Sequence, residues 1–398
     1  MKCNIWKDCP KVPITELLSF IVDNRGKTVP TAPYGHKLIA TNCVTNNTLF
    51  PVYEKVRYLS DETYHTWFRA HPVPGDILFV NKGTPGRVCM VPDPVDFCIA
   101  QDMIALRADD TKIYNKYLFA VLRSREIQQQ IYNTSVGDVI PHFKKQFLDQ
   151  LLIPVPDRSI QEDIGDSYYL FSYKIELNHK INENLQQQAM KIFAERFINI
   201  ETLPDGWRKG NLLDVAKYLN GLAMQKFRPQ ENEIGIPVLK IKELRQGFTD
   251  ASSELCSPNI KPEYIIQDGD VIFSWSGSLL VDIWCGGKCG LNQHLFKVTS
   301  NRFDKWFYYL WTAHHLDRFI AVAADKATTM GHIKRGDLAK AEVLIPSEKD
   351  YKEIGAVMAP IFELIIANRI EARTLSELRD GLLPKLMSGE IDVEDVNV

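Results

Sequence analysis

The stretch Gly75-Asp76-Ile77-Leu78-Phe79, followed by a second glycine at Gly83, is written again as Gly269-Asp270-Val271-Ile272-Phe273 with Gly277. Both glycines and the aspartate keep one offset (269 − 75 = 270 − 76 = 277 − 83 = 194). Working outward, Leu152-Ile153-Pro154 returns as Leu344-Ile345-Pro346, 192 residues on, while His142 and Ile164-Gly165 return as His332 and Ile354-Gly355, 190 residues on. Upstream, Lys27 and Pro30 return as Lys226 and Pro229, 199 residues on. A slowly drifting offset is what insertions and deletions in surface loops produce. A unit of about 190 residues is too long for a solenoid repeat, so the chain reads as two copies of a whole domain. Two similar but unequal modules suit a partner with two unequal halves.

Composition bounds what such a protein can be. A chain of 398 residues, 45% hydrophobic and 24% charged, is ordinary globular material with room for two or three domains. It holds no 18-residue apolar run, so no membrane span is expected. The start Met1-Lys2-Cys3-Asn4-Ile5-Trp6-Lys7-Asp8 lacks an apolar h-region, so no secretory signal is expected and the cytoplasm is the expected compartment. Reduced thiols follow from that. Cys285 and Cys289 form the only close cysteine pair and lack a second pair or histidines at ligand spacing, so no metal site is expected. Net charge is −3, placed unevenly: +2 over residues 1–157 (18 basic, 16 acidic), +1 over 200–346 (18 and 17) and −5 over 347–398 (6 and 11). Any grip on DNA therefore rests on local patches, with a partner's charge added.

The fold expected is α+β: two similar globular α/β modules separated by two long helices that form an antiparallel coiled coil, pseudo-twofold symmetric. The boundaries expected are 1–157 and 200–346 for the modules, 158–199 and 347–388 for the helices, and 389–398 for an acidic tail. Ile77–Val80 and Met103–Leu106 read as strands between Gly/Pro turns. Residues 115–132 read as one helix, with Tyr117, Leu118, Val121, Leu122 and Ile127 on one side. Leu203-Pro204-Asp205-Gly206-Trp207 opens the second copy and Ile345-Pro346 closes it. Each module is followed by a heptad seam. In the first helix it runs Ile164, Phe171, Asn178, Leu185 and Ile192, flanked by Tyr168, Ile175 and Ala189. In the second it runs Ile354, Ile361, Asn368, Leu375 and Leu382, flanked by Met358, Ile365, Ala372 and Leu386. Asn stands third in both, so an antiparallel pairing is expected to bring Asn178 and Asn368 close together and to fix the register through their amides. Two separately packed amphipathic helices are the alternative.

Catalytic signatures are missing. The sequence carries no Walker-type loop, no Asn-Pro-Pro-Tyr methyltransferase signature, no His-Glu-x-x-His and no Gly-x-Ser-x-Gly. Pro156-Asp157 and Pro92-Asp93 lack a Glu-x-Lys partner for a nuclease site. The polar loops carry the functional reading. After the first Gly-Asp strand come Asn81, Lys82, Thr84 and Arg87; after the second come Ser274, Ser276 and Ser278. A loop kept in place but varied in chemistry is what two readers of different bases need; a solvated hairpin tip is the plain alternative. A second pair of segments carries Thr134, Ser135 and His142 with Lys144-Lys145, and Lys326, Thr328, Thr329 and His332 with Lys334-Arg335. Hydroxyls, an imidazole and a basic pair suit phosphate and base-edge contacts, and equally suit a helix cap. Arg25 and Lys27 match Lys226 and Arg228, and Lys240 and Lys242 sit two apart on an expected strand. Singly, each is a solvated cluster.

Together these residues resemble the specificity subunit of type I restriction–modification systems. The resemblance spans the chain: the paired Gly-Asp-(apolar)2-Phe turns, the Leu-Ile-Pro exits and the two heptad helices. Its most specific part is Leu378-Arg379-Asp380-Gly381-Leu382-Leu383-Pro384-Lys385-Leu386-Met387-Ser388-Gly389-Glu390-Ile391, similar to the family's C-terminal phrase. The first copy departs from the pattern, lacking the Leu-Pro-Asp-Gly-Trp opening near Pro13-Ile14-Thr15. The resemblance implies a non-catalytic subunit with two target-recognition domains reading a bipartite, asymmetric double-stranded DNA target. It implies helices that set the unread gap and dock two methyltransferase subunits, with a translocase–nuclease subunit completing the complex. No cofactor is implied for this chain; S-adenosylmethionine belongs to the partner subunits. A specificity module of a fused methylation–cleavage system and a coiled-coil scaffold without a DNA role remain the alternatives.

Overall fold

The computed structural model describes residues 4–24, 26, 28–137, 139–325 and 333–392. The chain divides into two compact units, Met1–Leu177 with Thr374–Val398, and Asn178–Arg373. Each unit holds one globular module and a part of both long helices.

The first module contains β1 (Lys11–Pro13), β2 (Leu18–Val22), β3 (His36–Ile39), β4 (Arg57–Leu59), β5 (Ile77–Val80), β6 (Val88–Met90), β7 (Phe97–Ile99), β8 (Met103–Ala108) and β9 (Leu152–Pro154). Its main sheet has the order β2-β8-β5-β6, a second sheet the order β4-β3-β7, and β1 pairs with β9. The second module contains β10 (Arg208–Asn211), β11 (Lys217–Asn220), β12 (Ile236–Leu239), β13 (Leu255–Cys256), β14 (Ile265–Ile266), β15 (Asp270–Ser274), β16 (Leu280–Trp284), β17 (Cys289–Leu291), β18 (Leu295–Thr299) and β19 (Glu342–Ile345). Its sheets run β11-β18-β15-β16 and β13-β12-β17-β14, and β10 pairs with β19. The two orders are the same plan, with β14 added at one edge. In both, the short sheet contains one parallel pair, β3 with β7 and β12 with β17.

The Gly-Asp turn is built alike in both. Gly75 (φ +86°) and Gly269 (φ +84°) take the left-handed backbone that glycine adopts without strain. Asp76 Oδ2 then accepts the Val73 N–H at 3.0 Å, and Asp270 Oδ2 the Gln267 N–H at 2.8 Å. The apolar runs that follow enter the core: Phe79 and Phe273 are fully buried. A cation from the neighbouring strand meets each aspartate. Arg107 binds Asp76 through two nitrogens at 2.9 and 3.0 Å, and Lys297 meets Asp270 at 2.7 Å. The carboxylate holds the Arg107 guanidinium above its ordinary range.

Residues 115–132 differ from the single helix expected. Ser124, extended at φ −63° and ψ 150°, separates helix Asn115–Arg123 from helix Arg125–Thr134, and its hydroxyl accepts the Ile127 N–H at 3.4 Å. Serine competes well for a helix start and poorly for a helix interior.

The long helices span Arg158–Phe193 and Glu348–Ser388. They pair antiparallel within each unit. In the first unit Tyr168 shares a core with Leu383, Leu386 and Met387, and the buried Arg379 donates to the Ser172 hydroxyl at 3.4 Å. In the second, Ala189 and Phe193 share a core with Ile354, Met358 and Phe362. The polar partners differ from those expected. Asn368 donates to Asn182 Oδ1 at 3.0 Å, and Asn182 donates to the Ile365 carbonyl at 3.1 Å. Asn178 instead donates to Glu371 at 2.8 Å. Asn182 belongs to the flanking row Tyr168, Ile175, Ala189, so the amide pair lies one turn along from the expected position. No helix among the described residues is long and apolar enough to cross a membrane.

Candidate nucleic-acid interface

In each module the hairpin after the Gly-Asp strand is tied to two other loops. In the first, the Asn81 N–H donates to the Asp102 carbonyl at 2.8 Å, the Phe143 N–H to the Asn81 carbonyl at 2.8 Å, and the Gly83 N–H to the Pro141 carbonyl at 2.9 Å. Lys82 and His142 form an antiparallel bridge, as do Val136 and His142. In the second, the Trp275 N–H donates to the His294 carbonyl at 3.4 Å, and the Ile333 N–H to the Trp275 carbonyl at 2.9 Å. The same corner is made twice by backbone bonds that do not depend on the side chains.

The expected site residues separate into three groups at this corner. Asn81 and Ser274 are fully buried and hold the turn. The Asn81 amide donates to the Phe143 carbonyl at 3.2 Å, and the Ser274 hydroxyl to the Ser278 carbonyl at 2.9 Å. Thr134 and Ser135 close the preceding helix, donating to the carbonyls of Gln130 and Ile131 at 2.7 Å each. Lys82, Arg87, Lys144 and Lys145 are exposed, as are Ser278, Lys334 and Arg335, while Thr84 and His142 are half-buried. Lys145 pairs with Asp23 at 3.1 Å. Arg25, Lys27, Lys326, Thr328, Thr329 and His332 lie outside the described residues.

Lys240 and Lys242 are not on a strand. β12 ends at Leu239, and Lys240 caps helix Ile241–Gln246 because Glu243, three residues on, accepts its N–H at 3.2 Å. Both lysines line a cleft of about 450 Å³ with Gln225, Arg228, Gln293 and His294. Acids hold its cations: Arg228 meets Glu254 at 3.0 Å, Lys240 bonds the same carboxylate, and Lys242 meets Asp250 at 3.2 Å. The hydrogen bond from Lys240 keeps the Glu254 carboxyl below its ordinary range, and Ser252 and Lys242 do the same for Asp250.

Gln293 and His294 were not among the expected residues. His294 Nδ1 stands 2.9 Å from the Ser276 hydroxyl, and its Nε2 stands 3.3 Å from Gln293 Nε2. The signal lay in the repeat itself: Gln101 returns as Gln293 at the 192-residue offset of the Leu-Ile-Pro exit (293 − 101 = 192). Among the described residues no group of three His, Cys, Asp or Glu is placed to hold a metal ion. Cys285 and Cys289 are buried thiols, which burial pushes up to about 11 and about 12.

Two copies of one scaffold that present different polar side chains at the same corner, each continued by a seam helix, define a two-module recognition protein. The profile described as the type I restriction modification DNA specificity domain matches residues 29–187 and 204–378. The chain belongs to that family; it is the DNA-specificity component of a type I restriction–modification system, not a catalytic one. It is 25% identical over 346 residues to the type I restriction enzyme MjaIX specificity subunit of Methanocaldococcus jannaschii, covering 81% of this chain and 79% of that one. To the HindI specificity subunit of Haemophilus influenzae it is 20% identical over 398 residues, covering 80% and 86%. Its fold is similar to that of the type I restriction–modification S subunit from M. genitalium, with a TM-score of 0.57 at 15% identity over 95% of this chain and 96% of that one.

Proposed function

We propose that the corner around Lys82, Thr84, Arg87, His142 and Lys144 in the first module, and around Ser276, Ser278, Lys240, Lys242, Lys334 and Arg335 in the second, is where each module meets double-stranded DNA. The observation that carries this is the duplicated backbone of the corner combined with its unlike side chains. Lysines and arginines at the rim position a protein on phosphates, and the groups between them select bases. The target then has two unequal halves. Arg25, Lys27, Lys226 and Arg228, with Lys326, Thr328, Thr329 and His332, belong to the same proposal.

The long helices are the proposed dock for two methyltransferase subunits, which bring S-adenosylmethionine and the chemistry, and a translocase–nuclease subunit joins them in the cytoplasm. Apolar side chains on the helix exteriors support this. Leu170, Tyr173, Leu177 and Ile181 recur at helical spacing on one helix, and Val357, Leu364 and Leu378 at multiples of seven on the other, all exposed. Exposed apolar rows of this kind mark protein contacts.

The test is a map of methylated sites made by the chain assembled with its methyltransferase subunits. Substituting Lys82 and Thr84 should alter one half of the target only, and substituting Ser276 and Ser278 the other half only. Unchanged targets in both cases would reject the corners as reading surfaces.

A further inference from the structure

The cleft of the second module contains a hydrogen-bonded chain that ends on one amide. Gln293 lies in the turn between β17 and β18. That turn is held on both sides: the Asn292 N–H donates to the Leu239 carbonyl at 3.2 Å, the Leu295 N–H to the Asn292 carbonyl at 3.0 Å, and Asn292 Oδ1 accepts the His294 N–H at 3.2 Å. Gln293 Nε2 can only donate. It meets His294 Nε2 at 3.3 Å, and His294 Nδ1 in turn meets the Ser276 hydroxyl at 2.9 Å. This leaves Gln293 with Oε1 as an acceptor and one remaining N–H as a donor beside it. Arg228 and Lys240 stand on the rim of the same cleft.

We propose that Gln293 is a base-selecting residue of the second module and that it selects adenine. The inference rests on the reading that this corner meets DNA. Adenine presents in the major groove an N6 donor beside an N7 acceptor, the complement of an amide oxygen beside an amide N–H. Guanine presents two acceptors, so one of them faces Oε1. Cytosine offers the amide one donor and thymine one acceptor, half the pairing. Cations flanking the amide suit the phosphates on either side of the base. His294 and Ser276 are positioning residues: His294 touches Gln293, and Ser276 holds the far side of the His294 ring.

The experiment compares the unaltered chain with Gln293→Glu and Gln293→Ala, each assembled with methyltransferase subunits. The probes are the duplex defined by the unaltered complex's methylated sites and duplexes changed singly at each A·T pair of the second half-target. One position should lose its adenine requirement in both variants. Affinity for the unaltered duplex should fall about 5- to 150-fold, the loss of one bidentate base contact. The first half-target and binding to unrelated DNA should stay as they were. An adenine requirement retained at every position in both variants would overturn the assignment. The double variant Arg228→Ala/Lys240→Ala separates the two levels. If it weakens binding to all DNA while the Gln293 variants keep the full target, the cleft meets DNA and Gln293 is not the selector. If it too changes nothing, the placement of DNA at this corner fails as well.

Discussion

The corner formed by Lys82, Gln101 and Asp102 in the first module and the corner formed by Ser276, Gln293 and His294 in the second share a backbone. The N–H after each Gly-Asp strand, from Asn81 or Trp275, reaches the carbonyl of Asp102 or His294. A glutamine precedes that carbonyl residue in both. The residues at the corner differ: Lys82 and Asp102 accompany Gln101 in the first module, Ser276 and His294 accompany Gln293 in the second. Main-chain bonds fix where the side chains stand without constraining what they are. A duplicated scaffold can therefore diverge in specificity at a few positions while its turns, sheets and exits stay intact. The same contrast runs into the supports beneath the corner, where it can be broken by measurement.

The largest difference is expected under the Gly-Asp turns. Asp76 has a side chain only 1% exposed and takes two bonds from Arg107, whereas Asp270 is 19% exposed and meets the single ammonium of Lys297. Arg107→Ala leaves a buried carboxylate without its partner and should destabilise the first module by about 3–5 kcal/mol. Lys297→Ala leaves a partly hydrated one and should cost about 1–3 kcal/mol in the second. Denaturant unfolding followed by hydrogen exchange assigns each loss to its module. Equal losses would show that the two turns are supported alike.

The paired helix glycines give a difference of sign. A Cβ on Gly165 would stand 2.6 Å from the backbone nitrogen of Tyr117, while one on Gly355 would stand 3.8 Å from the Trp306 ring. Gly165→Ala must push two helices apart and should destabilise by about 1–3 kcal/mol. Gly355→Ala makes an ordinary contact and removes a poor helix former, so it should stabilise by up to about 1 kcal/mol. Melting temperatures moving in the same direction would contradict the difference in packing.

Much of this architecture was legible from residues alone. The duplicated Gly-Asp turns, the strands at Ile77–Val80 and Met103–Leu106, and the seven-residue seams depend on local periodicity and on one conformation that glycine adopts freely. What was not legible depends on tertiary choice. Lys240 sits at the end of an apolar strand and reads as part of it until Glu243 is seen to cap it. Ser124 reads as one polar position on a helix face, yet ends that helix. Asn182 fills the gap in a row of apolar side chains, and only the neighbouring helix shows that it, rather than Asn178, meets Asn368. The site was legible as two polar loops. Its division into side chains that hold the turn, such as Asn81 and Ser274, and side chains that face the cleft, such as Gln293, required the partners of each atom.

The seam in the second unit tests that last point. Asn182→Leu alone strands the Asn368 amide and removes the donor from the Ile365 carbonyl, and should destabilise by about 1–3 kcal/mol. Asn182→Leu with Asn368→Leu removes both ends of the pair and should be near neutral or stabilising. The buried polar contact between the helices of the first unit is of another kind, Arg379 with Asp380 and Ser172. Arg379→Leu should therefore have no rescuing partner substitution at Asn182. Chemical denaturation of the single and double variants decides it; additive losses at Asn182 and Asn368 would reject the pair.

The smallest effect separates the two modules by charge. In the second, Glu254 occupies both Arg228 and Lys240, so phosphates must displace it before those cations are available. Its carboxyl is held below the ordinary range by Lys240, and a depressed carboxyl stays ionised until the pH falls through that lowered value, so the competition is constant across neutral pH. Glu254→Gln removes the competing charge and keeps the shape. DNA affinity of the assembled complex should rise at low salt. Its logarithm should fall more steeply with the logarithm of salt concentration, by about 0.9 for each phosphate newly neutralised. In the first module a cation of the corner is also held by an acid, Lys145 by Asp23, and Asp23→Asn should steepen the slope by no more than one such increment, since it releases one cation rather than two. A salt dependence unmoved by Glu254→Gln would mean that Arg228 and Lys240 do not reach phosphate, leaving the first module as the stronger electrostatic contact.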